Sequence, residues 1–173
     1  VVVLVVNNVV LINAKIPSES MEQTIMTGDR IFGFRMAYGI NFDFFGKHIS
    51  KKMKDPERYD IIVFPFEENG KKEHFIKRII GLPGETVYID EDGVIYINDE
   101  PLEENYGKEV IEENHRGLAA EAVTLGNDEY FVMGDNRNNS RDSRLSDVGN
   151  IHKDKFVGKA VFRFTGGFGF LNK

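Results

Sequence analysis

Short apolar stretches alternate with clusters of turn residues along most of the chain, whereas the apolar spacing of an amphipathic helix is scarce. This pattern predicts strands rather than helices. Asn69-Gly70 and Asp92-Gly93 predict hairpin turns because these residues tolerate a positive φ, and Leu82–Glu85 predicts a further turn. Strands are expected at residues 30–38, 59–66, 74–80, 86–89, 94–98, 129–133 and 155–164. The pattern as a whole indicates a mainly β protein.

Three segments lack a regular period and are harder to assign. Residues 40–45 are rich in phenylalanine and are expected to form a loop or a short strand. Residues 51–60 are charged and contain Pro56, which indicates a surface connection. The acidic residues 99–122 are expected to form either a flexible surface excursion or a small inserted lobe.

The N-terminal stretch Val1–Ile12 is apolar except for Asn7-Asn8. It is shorter than the roughly 20 residues that a membrane-spanning helix needs. Two interpretations stay open: the end of a membrane anchor, or a buried strand, because valine and isoleucine favour strands. A strand that follows directly on an anchor would satisfy both.

Composition narrows the classes of function. The 173 residues are enough for one domain with its own core. The net charge of −6 argues against a nucleic-acid partner, and the absence of cysteine excludes disulfides and thiolate metal sites. The four histidines stand at no metal-ligand spacing with one another or with a carboxylate, so no metal site is expected.

A nucleophile and a base are the first candidates for chemistry. Ser18 and Ser20 follow the first apolar stretch, and a serine hydroxyl needs a neighbouring base to become a nucleophile. Lys77 lies in an apolar strand, on the same face as Phe75 and Ile79. If that face is buried, loss of water lowers the pKa of Lys77 and makes its neutral amine a competent general base. The alternative is an edge strand in which the long Lys77 side chain reaches solvent.

A third polar segment, Gly134–Arg144, follows an apolar strand and is dense in hydrogen-bonding groups. Such a segment can orient a lysine amine through a hydroxyl and brace itself by an Asp–Arg pair. The alternative is a solvated loop of turn residues. A Ser-His-Asp triad also stays open, because triads occur in several chain orders, although no glycine-flanked nucleophile elbow supports one.

Three stretches in this order resemble sequence boxes of the bacterial type I signal peptidases, a family of serine–lysine proteases. The family's serine box, Pro-Ser-x-Ser-Met-x-Pro-Thr, is matched by Pro17–Thr24 except at Gln23. Its lysine box, Lys-Arg-x-x-Gly-Leu-Pro-Gly-Asp/Glu, is matched throughout by Lys77–Glu85. Its last box, Gly-Asp-Asn-Arg-x-x-Ser-x-Asp-Ser-Arg, is matched throughout by Gly134–Arg144.

A further box of the family, Arg-Gly-Asp followed by an apolar strand, is approximated by Arg58–Phe64, with Tyr59 in place of glycine. The resemblance extends from about Ile16 to Phe164, which is most of the chain. The departures at Gln23 and Tyr59 affect local loop geometry rather than a reacting group.

The resemblance implies a role for each residue of the expected site. Ser20 is implied as the nucleophile, and Lys77 as the general base that takes its proton. The Ser18 hydroxyl and the Ser20 backbone N–H are the implied donors to the oxyanion. Ser140 is expected to hydrogen-bond the Lys77 amine and fix its direction. Structural support for the last loop is expected from Asp142 and Arg144. The apolar residues expected to line the substrate pocket are Ile16, Met21, Ile25, Phe75 and Ile76.

The fold implied by the family has two antiparallel sheets around a catalytic groove and a small inserted cap. The catalytic β domain is expected at residues 13–85 and 126–173, and the cap region at residues 86–125. Residues 1–12 are expected to be the remnant of, or the link to, an N-terminal membrane anchor. The implied activity is that of a membrane-associated serine endopeptidase that removes N-terminal signal peptides from exported preproteins after small residues, as in Ala-x-Ala. No cofactor is expected.

The family also implies a location on the outer face of the cytoplasmic membrane. The expected partners are signal peptides and the phospholipid surface, which phenylalanines within residues 32–45 and 162–170 are expected to touch. Two other classes stay open. One is a cytoplasmic serine–lysine protease like the self-cleaving SOS repressors, whose DNA-binding domain is not expected here. The other is a non-catalytic, β-rich membrane-associated binding module, which a reagent that acylates Ser20 would distinguish from an enzyme.

Overall fold

The structure, a computed structural model, describes residues 11–44, 47–68, 70–107, 109–165 and 169–171. Short strands account for most of the regular structure in these ranges, which confirms the prediction of a mainly β protein. The strands are β1 Leu11–Lys15, β2 Arg30–Phe34, β3 Gly39–Phe44, β4 Lys47–Lys52, β5 Ile61–Glu68, β6 Lys71–Gly81, β7 Thr86–Ile89, β8 Ile95–Ile97, β9 Glu100–Pro101, β10 Val123–Thr124, β11 Glu129–Met133, β12 Ile151–His152, β13 Gly158–Arg163 and β14 Gly169–Phe170.

Two antiparallel sheets and a separate hairpin organise these strands. The large sheet has the order β1-β2-β13-β5-β6-β11-β12, with β14 paired to β13. The small sheet has the order β10-β7-β8-β9, so all of its strands come from residues 86–124. The hairpin is formed by β3 and β4. The small sheet falls within the region predicted as a cap, and the domain division itself stays a prediction.

The central strand β5 is apolar on both faces. Ile61 and Val63 pack into one hydrophobic cluster, and Ile62 and Phe64 pack into another, because successive side chains of a strand point to opposite faces. All four side chains are at most 2% exposed. A third cluster packs the small sheet against β6 and β11. The third cluster therefore joins the two sheets at β6 and β11.

Several strand boundaries differ from the prediction by one to four residues. β2 ends at Phe34, and residues 35–38 lead into the β3–β4 hairpin. Of the loop or short strand expected at residues 40–45, the structure has the strand, β3. The hairpin also takes the first residues of the connection expected at 51–60. β13 begins at Gly158, where the strands approach so closely that an added Cβ would lie 2.4 Å from the carbonyl oxygen of Phe34.

The predicted turns fall where they were expected. Gly70 and Gly93 have φ values of +76° and +77°, a region that glycine enters without steric cost. The N–H of Glu85 donates to the carbonyl of Leu82 at 3.1 Å and closes the third turn. The other predicted turn residue, Asn69, lies outside the described residues.

Most of the apolar N-terminal stretch, residues 1–10, lies outside the described residues. Its last two residues, Leu11 and Ile12, begin β1, and Ile12 is buried in the core. Within the described ranges, no helix has the length and apolar character needed to cross a bilayer.

The described part of the acidic segment 99–122 is folded rather than a flexible excursion. It contains β9 and two 3₁₀ turns, Glu113–His115 and Gly117–Ala120. Ile111 and Ala119 are at most 3% exposed and belong to the cluster that supports the small sheet. Burial of these two side chains fastens the segment to the small sheet, which favours the inserted-lobe interpretation.

Candidate active site

The turn that carries Ser20 follows β1 directly. The N–H of Ile25 donates to the carbonyl of Met21, and the N–H of Gly28 donates to the carbonyl of Ile16, both at 2.8 Å. Met21 and Ile25 are at most 1% exposed, so their burial anchors the turn to the core. Ser20 is only 9% exposed, and its hydroxyl is therefore held in a partly dehydrated position.

Lys77 reaches this turn from β6, which has β5 on one side and β11 on the other. Its Nζ lies 2.7 Å from Ser20 Oγ and 3.0 Å from the carbonyl oxygen of Ile76. The lysine is 3% exposed. Because Lys77 is buried, the interpretation in which its side chain reaches solvent is wrong. The predicted nucleophile and base lie in contact although 57 positions separate them.

Burial controls the charge of the Lys77 amine. Loss of water lowers the pKa of Lys77 from 10.5 to about 8, although the negative charges of Asp142 and Asp135 act in the opposite direction. The charged amine donates a hydrogen bond to Ser20 Oγ. The neutral amine can instead accept the hydroxyl proton of Ser20, which is the arrangement a general base requires.

The polar segment Gly134–Arg144 is largely buried, so its interpretation as a solvated loop is wrong. The predicted pair of Asp142 and Arg144 is present, with 2.9 Å between Oδ1 and Nε and both side chains at most 3% exposed. The N–H of Gly134 also donates to Asp142 at 3.0 Å. Burial disfavours the charged carboxylate, but the hydrogen bonds and charge of Arg144 outweigh it and lower the pKa of Asp142.

Ser140 does not make the predicted hydrogen bond to Lys77. Its Oγ is buried and has no hydrogen bond of ordinary geometry among the described residues, although it lies close enough to Asp142 to favour the charged carboxylate. The Lys77 amine donates instead to the backbone carbonyl beside it. Ser140 still borders the site, because an added Cβ on Gly134 would lie 2.2 Å from Ser140 Oγ and 2.3 Å from the carbonyl oxygen of Ser20.

Asparagines of the same segment hold the backbone at Glu19 and Ser20. The N–H of Asn136 donates to the carbonyl of Ser20, and its side-chain Nδ2 donates to the carbonyl of Glu19, both at 3.1 Å. Asn139 Nδ2 donates to the Glu19 carboxylate at 2.9 Å. Sequence reasoning gave these asparagines no role, and their place within the last box was the only available signal.

A buried ion pair missed by the sequence analysis lies on the other face of β6. Arg78 donates to both oxygens of Asp135, at 2.8 and 2.7 Å, and neither side chain is exposed. The Thr24 hydroxyl donates to the same carboxylate at 2.5 Å. The pair therefore joins the lysine strand, the end of the serine turn and the last segment. An arginine among isoleucines in a predicted strand was the signal that could have revealed it.

Residues of the acidic segment 99–122, the expected inserted lobe, cover this ion pair. The ring of Tyr106 lies against the Arg78 guanidinium, 3.7 Å from ring centroid to Cζ. Arg137 is 1% exposed and pairs with the carboxylate of Glu104. Asn138 Nδ2 donates to a carbonyl of the lobe at 2.9 Å. The lobe thus excludes water from the back of the site.

The two departures from the family's boxes both lie at positive φ. Gln23 has φ +93°, which the ring of a proline, the family's usual residue there, cannot adopt. Tyr59 has φ +71°, a value that the usual glycine adopts at no cost. Its N–H donates to the carbonyl of Ile79 at 2.8 Å, and its carbonyl accepts from Arg78 at 3.0 Å. The surrounding hydrogen bonds hold Tyr59 in this conformation.

A cleft of about 280 Å³ opens onto Ser20 and Lys77. Four of the five predicted pocket residues line it, namely Ile16, Met21, Phe75 and Ile76. Ile25 does not line it, because the turn buries this side chain completely in the core. The other lining residues are Pro17, Ser18, Glu19, Glu73, His74, Asn139 and Arg141.

The predicted oxyanion donors stand at the same cleft. Ser18 Oγ lies 3.4 Å from Ser20 Oγ. The Ser20 N–H has no acceptor among the described residues, so it is available to a bound group. Within those residues no cluster of histidine and carboxylate side chains has the arrangement of a metal site.

The sequence of this chain is similar to a known protein family. The sequence profile described as signal peptidase, peptidase S26, matches residues 1–165. Signal peptidase I of Rickettsia bellii is 36% identical over 204 aligned positions, which cover 94% of this chain and 68% of that protein. Signal peptidase I of Bacillus amyloliquefaciens is 36% identical, with 95% of this chain and 81% of that protein covered.

Two further proteins are similar to this chain in sequence. Signal peptidase I of Leptolyngbya laminosa is 39% identical, with 86% of this chain and 66% of that protein covered. A crystal structure of a signal peptidase I from Enterococcus faecalis is 36% identical and covers 62% of this chain and 98% of its own, with a TM-score of 0.48. The chain thus spans about two thirds of the length of several relatives. From the match of the family profile and these identities, the chain belongs to the signal peptidases, peptidase family S26.

Proposed function

We propose that this chain is the catalytic region of a bacterial signal peptidase I that works through a Ser20–Lys77 dyad. One observation carries the proposal: Lys77 Nζ lies 2.7 Å from Ser20 Oγ and is 3% exposed. A desolvated lysine beside a serine hydroxyl is the pairing needed to take the hydroxyl proton near neutral pH. The signal peptidases to which the chain is similar support the same reaction class.

In the proposed reaction, Ser20 Oγ attacks the carbonyl carbon of the scissile peptide bond while its proton passes to neutral Lys77. The Ser18 hydroxyl and the Ser20 N–H donate to the oxyanion that forms. Lys77 then returns the proton to the leaving amine, and the C–N bond breaks to leave an ester on Ser20. A water molecule, deprotonated by Lys77, hydrolyses the ester and releases the acyl product.

The proposed substrates are signal peptides of exported preproteins, cut after small residues as in Ala-x-Ala. The apolar wall formed by Ile16, Phe75 and Ile76 supports this, because alanine side chains need a shallow apolar surface and no polar partner. We also propose that the domain works at the outer face of the cytoplasmic membrane. Phe34 and Phe170, which are 47% and 69% exposed, support contact with lipid. If the protein fails to co-sediment with lipid vesicles, that result argues against the proposed contact with lipid.

Cleavage of a synthetic peptide tests the function. The peptide has a basic start, an apolar stretch and an Ala-x-Ala site, and it is presented in detergent micelles or lipid. We expect a single cut after the second alanine, identified by mass spectrometry. Ser20→Ala should remove the cut, whereas the exposed Ser146→Ala should keep it. A cut that survives Ser20→Ala contradicts the proposed nucleophile.

The pH dependence tests the base. Since only the neutral amine takes the serine proton, kcat/KM should rise about tenfold per pH unit below the Lys77 pKa of about 8 and level off above it. The measurement is a profile from about pH 6 to about pH 10 on the same peptide. A plateau already reached near pH 7 would indicate a histidine base instead, because free histidine has a pKa of about 6.5.

A further inference from the structure

A second cleft continues from the one at Ser20. It has a volume of about 490 Å³ and shares Pro17, Glu73, His74 and Ile76 with the catalytic cleft. Its apolar residues are Ile12, Ala14, Val63, Ile76 and Val157. Because the two clefts share a wall, an extended peptide bound at Ser20 has a continuous surface on which to lie.

The rim of this second cleft is basic. Lys15, Arg35 and Lys72 line it and are exposed, whereas Glu73 is the single carboxylate among the lining residues. None of the three cations forms an ion pair in the part of the chain that the structure describes. Even Glu67, which stands opposite Lys72 in the β5–β6 register, makes no ion pair with it. The chain carries a net charge of −6, so this local excess of positive charge is a specific feature of the cleft.

The distance from the catalytic base sets which part of a substrate meets these charges. Lys72 precedes Lys77 by five positions on the same strand, β6. At about 3.3 Å per residue, that separation is roughly 16 Å of strand. A substrate in extended conformation beside β6 covers the same distance with about five residues.

We propose that the basic rim of the second cleft selects substrates that carry an aspartate or glutamate four to six residues upstream of the scissile bond. The inference rests on the proposed peptidase function and adds a charge preference to it. The upstream side is chosen because Ile76 belongs to both clefts, and the apolar wall that it helps to form is proposed to receive the small upstream residues. Lys72 and Lys15 are then specificity-determining residues outside the reacting centre.

Three peptides test the preference. They share one Ala-x-Ala site and differ only at the fifth residue upstream of the cut, which is glutamate, alanine or lysine. At low ionic strength we expect kcat/KM to favour glutamate over alanine by about two- to fivefold, and glutamate over lysine by about tenfold. Salt should weaken the preference, since exposed charges are screened. A fourth peptide with glutamate at the fifth residue downstream should show no such gain.

Charge reversal identifies the residues responsible. Lys72→Glu should reduce the ratio between the glutamate and lysine peptides, and Lys15→Glu with Lys72→Glu should invert it. Lys155→Glu makes the same charge change on an exposed lysine that lines neither cleft, and it should leave the ratio unchanged.

Equal cleavage of all three peptides overturns the inference and leaves the peptidase function standing. A gain from the downstream glutamate overturns the assignment to the upstream side. Cleavage of none of the peptides contradicts the proposed function and the preference with it. If the peptides are cut equally while Lys72→Glu weakens binding to vesicles of phosphatidylglycerol, the cleft takes lipid headgroups and the peptide inference is wrong.

Discussion

Lys77→Met is expected to abolish peptide cleavage and, at the same time, to make the folded protein more stable at neutral pH. Under the proposed mechanism activity is lost, because methionine cannot take the proton of Ser20. Stability rises because the pKa of Lys77 is about 8 in the folded protein, whereas an unperturbed lysine, as in the unfolded chain, has a pKa of 10.5. Holding the charged amine in the core thus costs about 3 kcal/mol below pH 8, at about 1.36 kcal/mol per pKa unit.

The gain in stability from Lys77→Met depends on pH. In the native protein the Lys77 contribution to the free energy of unfolding becomes more favourable as pH rises from about 8 to 10.5, where the unfolded chain binds more protons. The stability gained by Lys77→Met should therefore shrink over the same range. Urea unfolding of both proteins at several pH values measures it.

Lys159→Met provides the matched control. Lys159 Nζ lies 2.5 Å from the carboxylate of Asp60, which is 7% exposed, so this substitution leaves a nearly buried charge without its ion-pair partner. It should lower the free energy of unfolding, whereas Lys77→Met should raise it. A loss of stability in both variants would contradict the view that Lys77 is held at an energetic cost.

The second large effect is expected from Asp135→Asn. Asparagine has nearly the same shape, but it leaves the Arg78 guanidinium charged, fully buried and without its counter-ion. Breaking a buried ion pair from one side typically costs about 3–5 kcal/mol. We expect a loss of that size in urea unfolding, together with a loss of activity, because the same carboxylate holds Thr24 of the serine turn.

Two further variants separate this explanation from a general effect of losing an ion pair. Lys54→Ala removes one partner of an exposed pair, with side chains 61% and 59% exposed, and should change stability little. The double variant Arg78→Met with Asp135→Leu removes both buried charges and should recover part of the stability lost by Asp135→Asn. Equal losses from Lys54→Ala and Asp135→Asn would show that burial of the pair is not the cause.

The meeting of Ser20, Lys77 and the last segment was predictable because each lies in a stretch whose residue order is distinctive. The burial of Lys77 was not. The alternation of residues on β6 showed which side chains share its face, but whether that face meets water depends on what packs over it, here the serine turn that contacts Lys77. Such packing between distant segments is absent from the local pattern of a sequence.

Ile25 and Ser140 illustrate the same limit at smaller scale. The N–H of Ile25 donates to the carbonyl of Met21, and in this turn the Ile25 side chain is buried in the core instead of lining the cleft. Ser140 lies beside the serine turn without reaching the lysine amine, which bonds to its own backbone neighbour. Both outcomes follow from differences of a few ångströms in loop backbone, which residue types alone do not specify.

The wide separation of the reacting groups along the chain has a consequence for the order of folding. Ser20 is 57 positions from Lys77, and the serine turn is held by an asparagine 117 positions beyond Glu19. Contacts over such separations form late, because long loops must close before any contact stabilises them. A chain that is incompletely synthesised or incompletely folded therefore does not bring Ser20 next to the amine of Lys77. Proteolytic activity is therefore expected only from the finished fold.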